Sequence, residues 1–329
     1  MRVLFIGGTG NISAECAARL AQRGHEVSAL TRGRTPVAGP WRPIVADRHN
    51  RDAMCAALKD VPTDVVINFL GFKPPEIELD AELFAGRIRQ YIFISSATVY
   101  AKPHQSLPLT EASPLGNPFS EYARHKQACE AWLRARQAAT GFPVTIVRPS
   151  HTYSCRWICN PVASAGYTFA ARLEQGRPVF VHDDGQGLWT LTAAGDFAEG
   201  LAGLVGQESA IGETYHITSD EVLTWNQIYA EVAAALGVSR PEIVSIPTDF
   251  ICRVCPEMTP KFRGDKSEPG VFDNAKIKRA VPDYQCRKPF RDGIREAVAW
   301  FRADRSRMQP NPEVDGIFDR VVAEWQKAL

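Results

Sequence analysis

The chain has 329 residues, of which 45% are hydrophobic and 23% charged, and its net charge is +1. This length suits two packed folding units, and the near-zero charge argues against attraction to nucleic acid or a membrane surface. The N-terminal residues do not resemble a secretory signal, and no apolar run reaches the roughly 18 residues that span a bilayer, so we expect a cytoplasmic protein.

The first half of the chain alternates short apolar runs with amphipathic segments. Strands are expected at residues 2–6, 25–32, 43–47, 64–71, 90–96 and 143–150, and helices at residues 12–24, 52–60, 79–88 and from 120 onward. Strands that alternate with helices predict a parallel sheet covered on both faces. We therefore predict an α/β fold, a doubly wound parallel sheet of the Rossmann type, as an NAD(P)-binding domain over residues 1–150.

The second half, residues 151–329, lacks this regular alternation. It predicts a smaller α/β domain that mainly binds substrate, with segments near residues 190–218 interleaved with the first sheet. The expected elements are a hairpin at 177–192, a helix at 194–206, a strand at 213–218, a helix at 224–237 with Thr224 as N-cap, a strand at 241–247, and helices with loops over the last fifth.

A glycine-rich turn, FIGGTGNIS, follows the first expected strand and opens a helix. Gly7 permits the tight turn, Gly10 lets a pyrophosphate approach the backbone, and the helix N-terminus favours its charge. Ser13 stands where a third glycine is usual, and serine is small enough to replace it. A glycine turn without ligand is the alternative, but this strand–turn–helix context favours dinucleotide binding.

The end of the second expected strand indicates which dinucleotide binds. An NAD site usually has an acid there, whereas ALTRGRT places Thr31 at that point, followed by Arg32 and Arg34. Guanidinium groups suit a 2′-phosphate, so NADP is the expected cofactor and NAD the alternative. The two arginines could equally be surface residues of a loop. Asp47, at the end of the third strand, is expected to face the adenine.

Tyr122 and Lys126 stand four residues apart in the helical segment SEYARHK. At this spacing both side chains leave the same face of the helix, and a nearby cation would lower the pKa of the phenol. Two solvated residues on an amphipathic helix would show the same spacing. Upstream, YIFISSATVY places Ser95 and Ser96 at the carboxyl end of the fifth strand, where such sheets bind ligands.

These motifs, GGTGNIS, SSATVY and YARHK in that order, resemble the extended short-chain dehydrogenase/reductase family, within its NAD-dependent epimerase/dehydratase group. The resemblance continues through FDNAKIKRAVPDY and GIREAVAWF, and so covers almost the whole chain. Within the group, the sequence is most similar to an atypical branch that includes chloroplast stem-loop-binding proteins.

The resemblance implies specific roles for the motif residues. Tyr122 would be the general acid–base, Lys126 would hold the nicotinamide ribose and lower the tyrosine pKa, and Ser96 would orient the substrate hydroxyl. The cofactor contacts expected on this pattern are Gly7, Gly8, Thr9, Gly10, Asn11, Ile12, Thr31, Arg32, Arg34, Asp47, Arg48, Phe69, Leu70, Gly71, Ser95, Tyr122, Lys126, Pro149 and His151.

Departures from the family pattern narrow the expected chemistry. Dehydratases and decarboxylases of the family carry an acid just after the catalytic hydroxyl, whereas this chain has Ser96-Ala97-Thr98, which disfavours both reactions. His151 stands where similar epimerases place an asparagine against the diphosphate of a nucleotide sugar. The segment between Gly71 and Tyr91 is shorter than the helical excursion that helps family members to pair, so a homodimer remains open.

A sugar-like ring is the expected substrate, because pockets for hydroxylated rings combine polar and aromatic groups. The expected contacts are Ser96, Thr98, His151, Tyr153, Trp157 and Trp189. The tryptophans could instead belong to the core. The predicted function is that of an NAD(P)-dependent epimerase or oxidoreductase acting on a sugar, nucleoside or nucleotide sugar. The alternatives are a simple NADPH ketoreductase and an RNA-binding protein on the same fold. Binding of nucleic acid is disfavoured because the sequence lacks a basic stripe.

Eight cysteines lie mostly within helical or apolar segments, a pattern that suits reduced thiols better than a disulfide framework. CRWIC at 155–159 and CRVC at 252–255 could in principle bind zinc. Because CRVC lies in an apolar helical segment, no metal site is expected.

Overall fold

The computed structural model describes residues 1–33, 39 and 41–329. Its strands are β1 (Arg2–Ile6), β2 (Glu26–Thr31), β3 (Arg42–Val45), β4 (Val65–Asn68), β5 (Gln90–Ile94), β6 (Val144–Pro149), β7 (His151–Tyr153), β8 (Val179–His182), β9 (Leu188–Trp189), β10 (Leu191–Ala193), β11 (Thr214–Ile217), β12 (Leu223–Thr224) and β13 (Ile243–Ile246). The helices are α1 (Ser13–Gln22), α2 (Arg51–Leu58), α3 (Pro74–Phe84), α4 (Glu121–Thr140), α5 (Thr168–Glu174), α6 (Ala194–Leu204), α7 (Trp225–Leu236), α8 (Thr248–Val254), α9 (Ala275–Ala280), α10 (Phe290–Arg302) and α11 (Pro312–Ala328).

A parallel sheet organises the first part of the chain, which confirms the predicted α/β class. In the part of the chain that is described, seven strands pair in the order β11-β6-β5-β4-β1-β2-β3. The chain runs outward from β1 to β3 and then crosses back to β4 on the other side of β1. The loops after β1 and β4 therefore diverge at a switch point, where such sheets leave a crevice at the carboxyl ends of their strands.

Helices cover both faces of the sheet. On one face α1, α6 and α9 pack over residues such as Phe5, Ile67 and Ile92. On the other, α2, α3 and α4 cover Leu4, Val66 and Phe93. Neighbouring residues of one strand thus lie in different cores, which explains why these strands read as continuous apolar runs.

A third apolar core is built from the second half of the chain. It gathers buried residues of α5, β8, α7, α8, α10 and α11. The predicted N-cap of α7 is confirmed, since the Thr224 hydroxyl accepts a hydrogen bond from the backbone N–H of Gln227 over 3.1 Å. The segment that carries β11 and α6 joins the main sheet and its cover instead.

The hairpin predicted at residues 177–192 is wrong. Strand β8 pairs in parallel with β13, β9 pairs with β12, and β10 pairs in parallel with β7. The glycine turn at Gly185 resembled a hairpin turn, but it links strands of separate two-stranded pairs. Their partners come from distant parts of the chain, which local turn signals do not specify.

Two observations bear on the chain's environment and chemistry. No helix in the described ranges is long and apolar enough to span a bilayer. All eight cysteines are free thiols, and the described residues contain no cluster of three or more His, Cys, Asp or Glu side chains suited to a metal ion.

Candidate active site

Two neighbouring cavities open at the switch point. The first, the glycine-loop cavity, has a volume of about 820 Å³ and lies against the turn after β1. The second, the tyrosine cavity, has a volume of about 640 Å³ and lies between the ends of β5 and β6 and the second half of the chain. Ile12, Phe69 and Trp157 line both, so the cavities adjoin along these three side chains.

Most predicted cofactor contacts line one of these cavities. Those at the glycine-loop cavity are Gly7, Thr9, Gly10, Asn11, Ile12, Thr31, Arg32, Asp47, Arg48, Phe69 and Leu70. Those at the tyrosine cavity are Ile12, Phe69, Ser95, Tyr122, Lys126, Pro149 and His151. Gly8 and Gly71 lie behind the walls, and Arg34 lies outside the described residues.

The glycine turn leaves room for a ligand at the start of α1. Gly7 has a φ of 86°, and a Cβ there would meet Leu70 at 2.5 Å. A Cβ on Gly8 would meet Ala29 at 2.7 Å, so this glycine serves close packing. No side chain caps α1 at Ile12, and its N-terminal backbone N–H groups are suited to an anionic group such as a pyrophosphate.

Ser13 has a definite role in this turn. It is buried, and its hydroxyl accepts a hydrogen bond from the backbone N–H of Gly10 over 2.9 Å. The serine therefore fills the space of the usual glycine and fixes the loop as well.

Asn11 ties the glycine turn to the second half of the chain. Its side-chain amide donates to the carbonyl of Thr152 over 3.0 Å, and its side-chain oxygen accepts from the Ser154 hydroxyl over 2.5 Å. The loop that follows carries Trp157, which lines both cavities. One set of bonds thus positions the floor of one cavity and a wall of the other.

The far end of the glycine-loop cavity is lined by Thr31, Arg32, Asp47 and Arg48. The Arg48 guanidinium is buried and paired with the Asp80 carboxylate at 3.2 Å, so its charge is compensated within the protein. Arg32 is exposed and lines the same space, which leaves it accessible to a ligand.

Sequence reasoning missed a buried polar cluster behind this wall. The Asp80 carboxylate accepts hydrogen bonds from Arg48, from the Asn68 amide over 2.5 Å, and from the Tyr91 hydroxyl over 2.6 Å. The Asn68 oxygen in turn accepts from the backbone N–H of Leu70 over 2.7 Å. The cluster fixes the loop after β4. It joins residues that are far apart in the sequence, so no local sequence pattern predicts it.

Lys126 lies on α4 with its side chain only 1% exposed. Its ammonium donates to the carbonyl of Gly71 over 2.8 Å and to that of Ile94 over 2.7 Å, and lies 4.9 Å from the ring centre of Phe72 and 4.8 Å from that of Phe93. Burial lowers the pKa of Lys126 to about 8. Two of its three N–H donors are used by the protein, which leaves one for a ligand in the tyrosine cavity.

Tyr122 lies one turn before Lys126, and its ring centre is 5.8 Å from the Lys126 ammonium. Desolvation raises the pKa of the phenol to about 12, the Ser96 hydroxyl opposes this rise, and the Asp265 carboxylate adds to it. The predicted lowering of this pKa by Lys126 is therefore not found. The Lys126 ammonium donates to two carbonyls instead, and the Tyr122 residue itself remains 43% exposed.

Ser96 and Thr98 meet Tyr122 at the carboxyl end of β5, and all three line the tyrosine cavity. The Ser96 hydroxyl caps the short turn Ala97–Val99. The neighbouring Ser95 hydroxyl is buried at the cavity wall and has no hydrogen-bond partner within the described chain. An orphaned hydroxyl at a cavity is a feature that a bound polar ligand would satisfy.

His151 is a neutral side chain in the wall of the tyrosine cavity. Its Nδ1 accepts from the indole N–H of Trp189 over 3.1 Å, so the ring proton must be on Nε2, which lies 3.0 Å from the Ser164 hydroxyl. Burial and the nearby Lys266 ammonium lower its pKa well below the usual value. The protein therefore engages both ring nitrogens of His151.

The predicted substrate contacts divide into two groups. Ser96, Thr98, His151, Trp157 and Trp189 line the tyrosine cavity, although Trp189 is only 5% exposed and also packs on Trp225. Tyr153 does not line it. That ring is 2% exposed and packs edge-on against Phe290 in the third core, so we do not retain it as a substrate contact.

Several cavity residues were not predicted. They include Phe72 and Glu76 at the glycine-loop cavity and Lys102, His104, Asn160, Lys261, Asp265 and Lys266 at the tyrosine cavity. Lys261 and Lys266 are close together in the sequence, but only the fold shows that they line the same cavity as Ser96 and Tyr122.

The sequence of the chain is similar to those of known proteins. The sequence profile described as the NAD dependent epimerase/dehydratase family matches residues 3–218. The 2′-dehydrokanamycin reductase of Streptomyces kanamyceticus is 29% identical over 87% of this chain and 81% of its own. The chloroplast stem-loop binding protein of 41 kDa b of Arabidopsis thaliana is 29% identical over 76% of this chain and 67% of its own.

Solved structures share the fold. A UDP-glucose 4-epimerase from Bifidobacterium longum, in complex with NAD+ and UDP, superposes with a TM-score of 0.74 at 18% identity, over 93% of this chain and 99% of that one. The epimerase Mth375 of Methanothermobacter thermautotrophicus gives a TM-score of 0.75 at 16% identity, over 93% of each chain.

Proposed function

This chain belongs to the NAD-dependent epimerase/dehydratase family, and on that premise we propose that it is an NAD(P)-dependent epimerase or oxidoreductase of a secondary alcohol or ketone. The substrate class is a sugar, nucleoside or nucleotide sugar, and the reaction passes through a ketone with Tyr122 as general acid–base. The observation that carries the proposal is that Ser96, Tyr122 and Lys126 line one cavity, which adjoins the cavity at the glycine turn.

The residues present fit a dinucleotide. The glycine turn and the uncapped start of α1 would hold its pyrophosphate, Thr31, Arg32 and Asp47 its adenosine end, and the free N–H of Lys126 its second ribose. When bound, the nicotinamide ring supplies the acceptor or donor of a hydride. The orphaned Ser95 hydroxyl would gain a partner at the same place.

The chain's own residues would move the proton. A phenol with a pKa of about 12 is protonated at neutral pH, so Tyr122 starts as a proton donor, which is the state that reduction of a ketone needs. The Ser96 hydroxyl, beside it, is placed to donate to the same substrate oxygen. Oxidation of an alcohol needs the phenolate, which the Ser96 hydroxyl stabilises and which Asp265 opposes.

The direction of the reaction distinguishes the two forms of the proposal. The named reductase among the relatives supports a reductase, whereas the shared fold of named epimerases supports an in-place epimerase. Purified protein should be tested for bound cofactor and then incubated with ketosugars and sugar alcohols in deuterated water. Tightly held oxidised cofactor with an inverted carbinol centre identifies an epimerase, and consumption of NADPH or NADH identifies a reductase.

NADP is the proposed cofactor. Thr31 ends β2 where an acid would repel a 2′-phosphate, Arg32 is exposed beside the glycine-loop cavity, and Arg48 is already paired with Asp80. Arg32 is therefore the described cation best placed to contact that phosphate.

An RNA-binding function is the rival of a different class, because one relative carries the name of a stem-loop binding protein. A net charge of +1 gives it little electrostatic support. Retention of stem-loop RNA on a filter at physiological salt, with no turnover of any sugar, would favour this rival over the enzyme.

A further inference from the structure

The wall of the tyrosine cavity that faces away from the glycine turn is basic. Lys102, Lys261 and Lys266 line it, and Asp265 is its carboxylate within the described residues. This wall therefore carries three ammonium groups and one carboxylate, and Ser96 and Tyr122 line the same cavity. We call these three lysines and Asp265 the lysine wall.

The charges of this wall are unequally compensated. Lys266 is paired with Asp265 and lies 4.4 Å from the ring centre of Trp189. The Lys102 ammonium contacts Nε2 of His104 at 3.1 Å, and that of Lys261 donates to the carbonyl of Val162 over 2.6 Å. Neither of these two ammonium groups has a carboxylate within 4 Å in the described chain, so both carry positive charge toward the cavity.

The surrounding groups compensate this charge only in part, since the Asp265 and Glu268 carboxylates stabilise the Lys102 ammonium. Burial and Lys102 lower the pKa of His104 to about 4, so its imidazole is neutral at neutral pH and carries no charge into the wall. The Glu268 carboxylate accepts from the backbone N–H of His104 over 3.3 Å and does not line the cavity. Desolvation lowers the pKa values of Lys102 and Lys261. The Asp265 and Glu268 carboxylates oppose this for Lys102, whereas the Lys266 ammonium lowers the pKa of both lysines further. An anion among the three would remove this repulsion.

We propose that the lysine wall binds an oxyanion carried by the substrate, a phosphate or a carboxylate attached to the sugar. This inference rests on the proposed function and names its substrate class: an acidic sugar, held by the wall at one end while its reacting carbon lies at Tyr122. Lysine ammonium groups are compact point charges with three donors each, which suits phosphate and carboxylate oxygens. A cationic aminosugar would be repelled by the same wall.

A charge series on one ring tests the proposal through binding alone. Glucose 6-phosphate, glucuronate, glucose and glucosamine carry successively less negative charge, and their binding can be followed by quenching of tryptophan fluorescence, since Trp157 and Trp189 line the cavity. We expect affinity to fall in that order, and the affinity of the phosphate to fall further in 1 M salt, because screening weakens charge pairs. Inorganic phosphate and UDP-glucose, as added probes, distinguish a free phosphate, a sugar phosphate and a nucleotide diphosphate.

Variants of the wall supply the second arm. Lys102→Met and Lys261→Met should each weaken glucose 6-phosphate by about tenfold, the usual cost of one charge-assisted contact, and leave glucose unchanged. Lys59→Met removes an equal charge from an exposed site outside the cavity and should change neither. Equal affinity for glucose and glucose 6-phosphate, or equal effects of all three variants, would overturn the proposal.

The outcomes also separate this inference from the proposed function. Binding of acidic sugars that depends on Lys102 and Lys261, without redox chemistry on any sugar, retains the oxyanion site and refutes the enzyme. Redox chemistry on neutral or cationic sugars that is unaffected in Lys102→Met and Lys261→Met retains the enzyme and refutes the oxyanion site.

Discussion

Thr98 gives the Ser96 hydroxyl two hydrogen bonds, one from its backbone N–H over 3.2 Å and one from its own hydroxyl over 2.9 Å. A hydroxyl oxygen has two acceptor positions, and Thr98 occupies both. The Ser96 proton must therefore be donated outward, toward Tyr122 or a substrate oxygen. Thr98 thus sets Ser96 as a donor before any substrate arrives.

Replacing Thr98 tests this positioning role. In Thr98→Val the side-chain donor is lost, so the Ser96 hydroxyl can rotate, and we expect kcat to fall by about tenfold with KM nearly unchanged. Thr98→Ser keeps the donor and should retain most of the activity. A valine variant as fast as the wild type would show that the bond has no catalytic consequence.

Tyr122→Phe should lower turnover by about a hundredfold or more, because the proton donor is removed while the ring remains. Cofactor titration by fluorescence should give an unchanged affinity. Tyr167→Phe, which removes a phenol hydroxyl bonded to Glu174 away from both cavities, is the matched control and should keep full activity. Near-normal turnover in Tyr122→Phe would contradict the assigned role.

The pKa of about 8 for Lys126 predicts a pH dependence of cofactor binding. As pH rises through about 8 the ammonium loses its proton, and affinity for the cofactor and kcat/KM should both decline. The Lys126→Met variant should bind the cofactor weakly and turn over slowly, and neither its cofactor affinity nor its kcat/KM should change with pH. A wild-type profile that remains level from pH 7 to 10 would contradict this prediction.

The same ionisation affects stability with the opposite sign. The pKa of Lys126 is lower in the folded protein than its unfolded value of 10.5, so the unfolded chain binds more protons between about pH 8 and 10.5. The contribution of Lys126 to the free energy of unfolding therefore rises with pH in that range. Urea unfolding of wild type and Lys126→Met across that range should show the rise only in the wild type.

Arg32→Ala should weaken NADP by roughly 1.5–3 kcal/mol, the cost of a lost charge-assisted contact, and leave NAD unchanged. Titration of both cofactors measures the difference. Arg240→Ala, an exposed arginine between α7 and β13, is the control. Equal affinity of the wild type for NAD and NADP would show that Arg32 is only a surface residue.

Buried histidines predict a loss of stability in mild acid. Burial lowers the pKa of His182 to about 4 and that of His216 to about 3, so below the unfolded value of 6.5 the unfolded chain binds more protons and the free energy of unfolding falls as pH falls. His182→Gln should reduce this slope by about 1.4 kcal/mol per pH unit between pH 6.5 and 4.5. His49→Gln, at a largely exposed site, should leave it unchanged in denaturant melts.

Local signals in the sequence located much of the fold and the candidate site. The central sheet strands could be predicted because they are short apolar runs buried on both faces, as β4 shows with four buried residues in succession. The pair Tyr122 and Lys126 could be recognised because its spacing is the period of α4. Both features depend only on neighbours in sequence.

The remaining features depend on contacts between distant residues. Parallel pairing of β8 with β13 joins residues about 64 positions apart, which a glycine turn cannot indicate. The raised pKa of Tyr122 follows from desolvation and from Asp265, neither of which the spacing to Lys126 contains. Tyr153 shows the same limit, since its sequence context does not tell whether its ring faces the cavity or Phe290.

The bonds of Asn11 to Thr152 and Ser154 have a thermodynamic consequence. They join the glycine turn to the loop that carries Trp157, so we expect a ligand that orders one of these segments to order the other as well. Any factor by which a ligand in one cavity tightens binding in the other must act equally in reverse, because linkage between two sites is reciprocal. Asn11 therefore lies where cooperativity between two different ligands would originate, through one hydrogen bond that its side chain donates and one that it accepts.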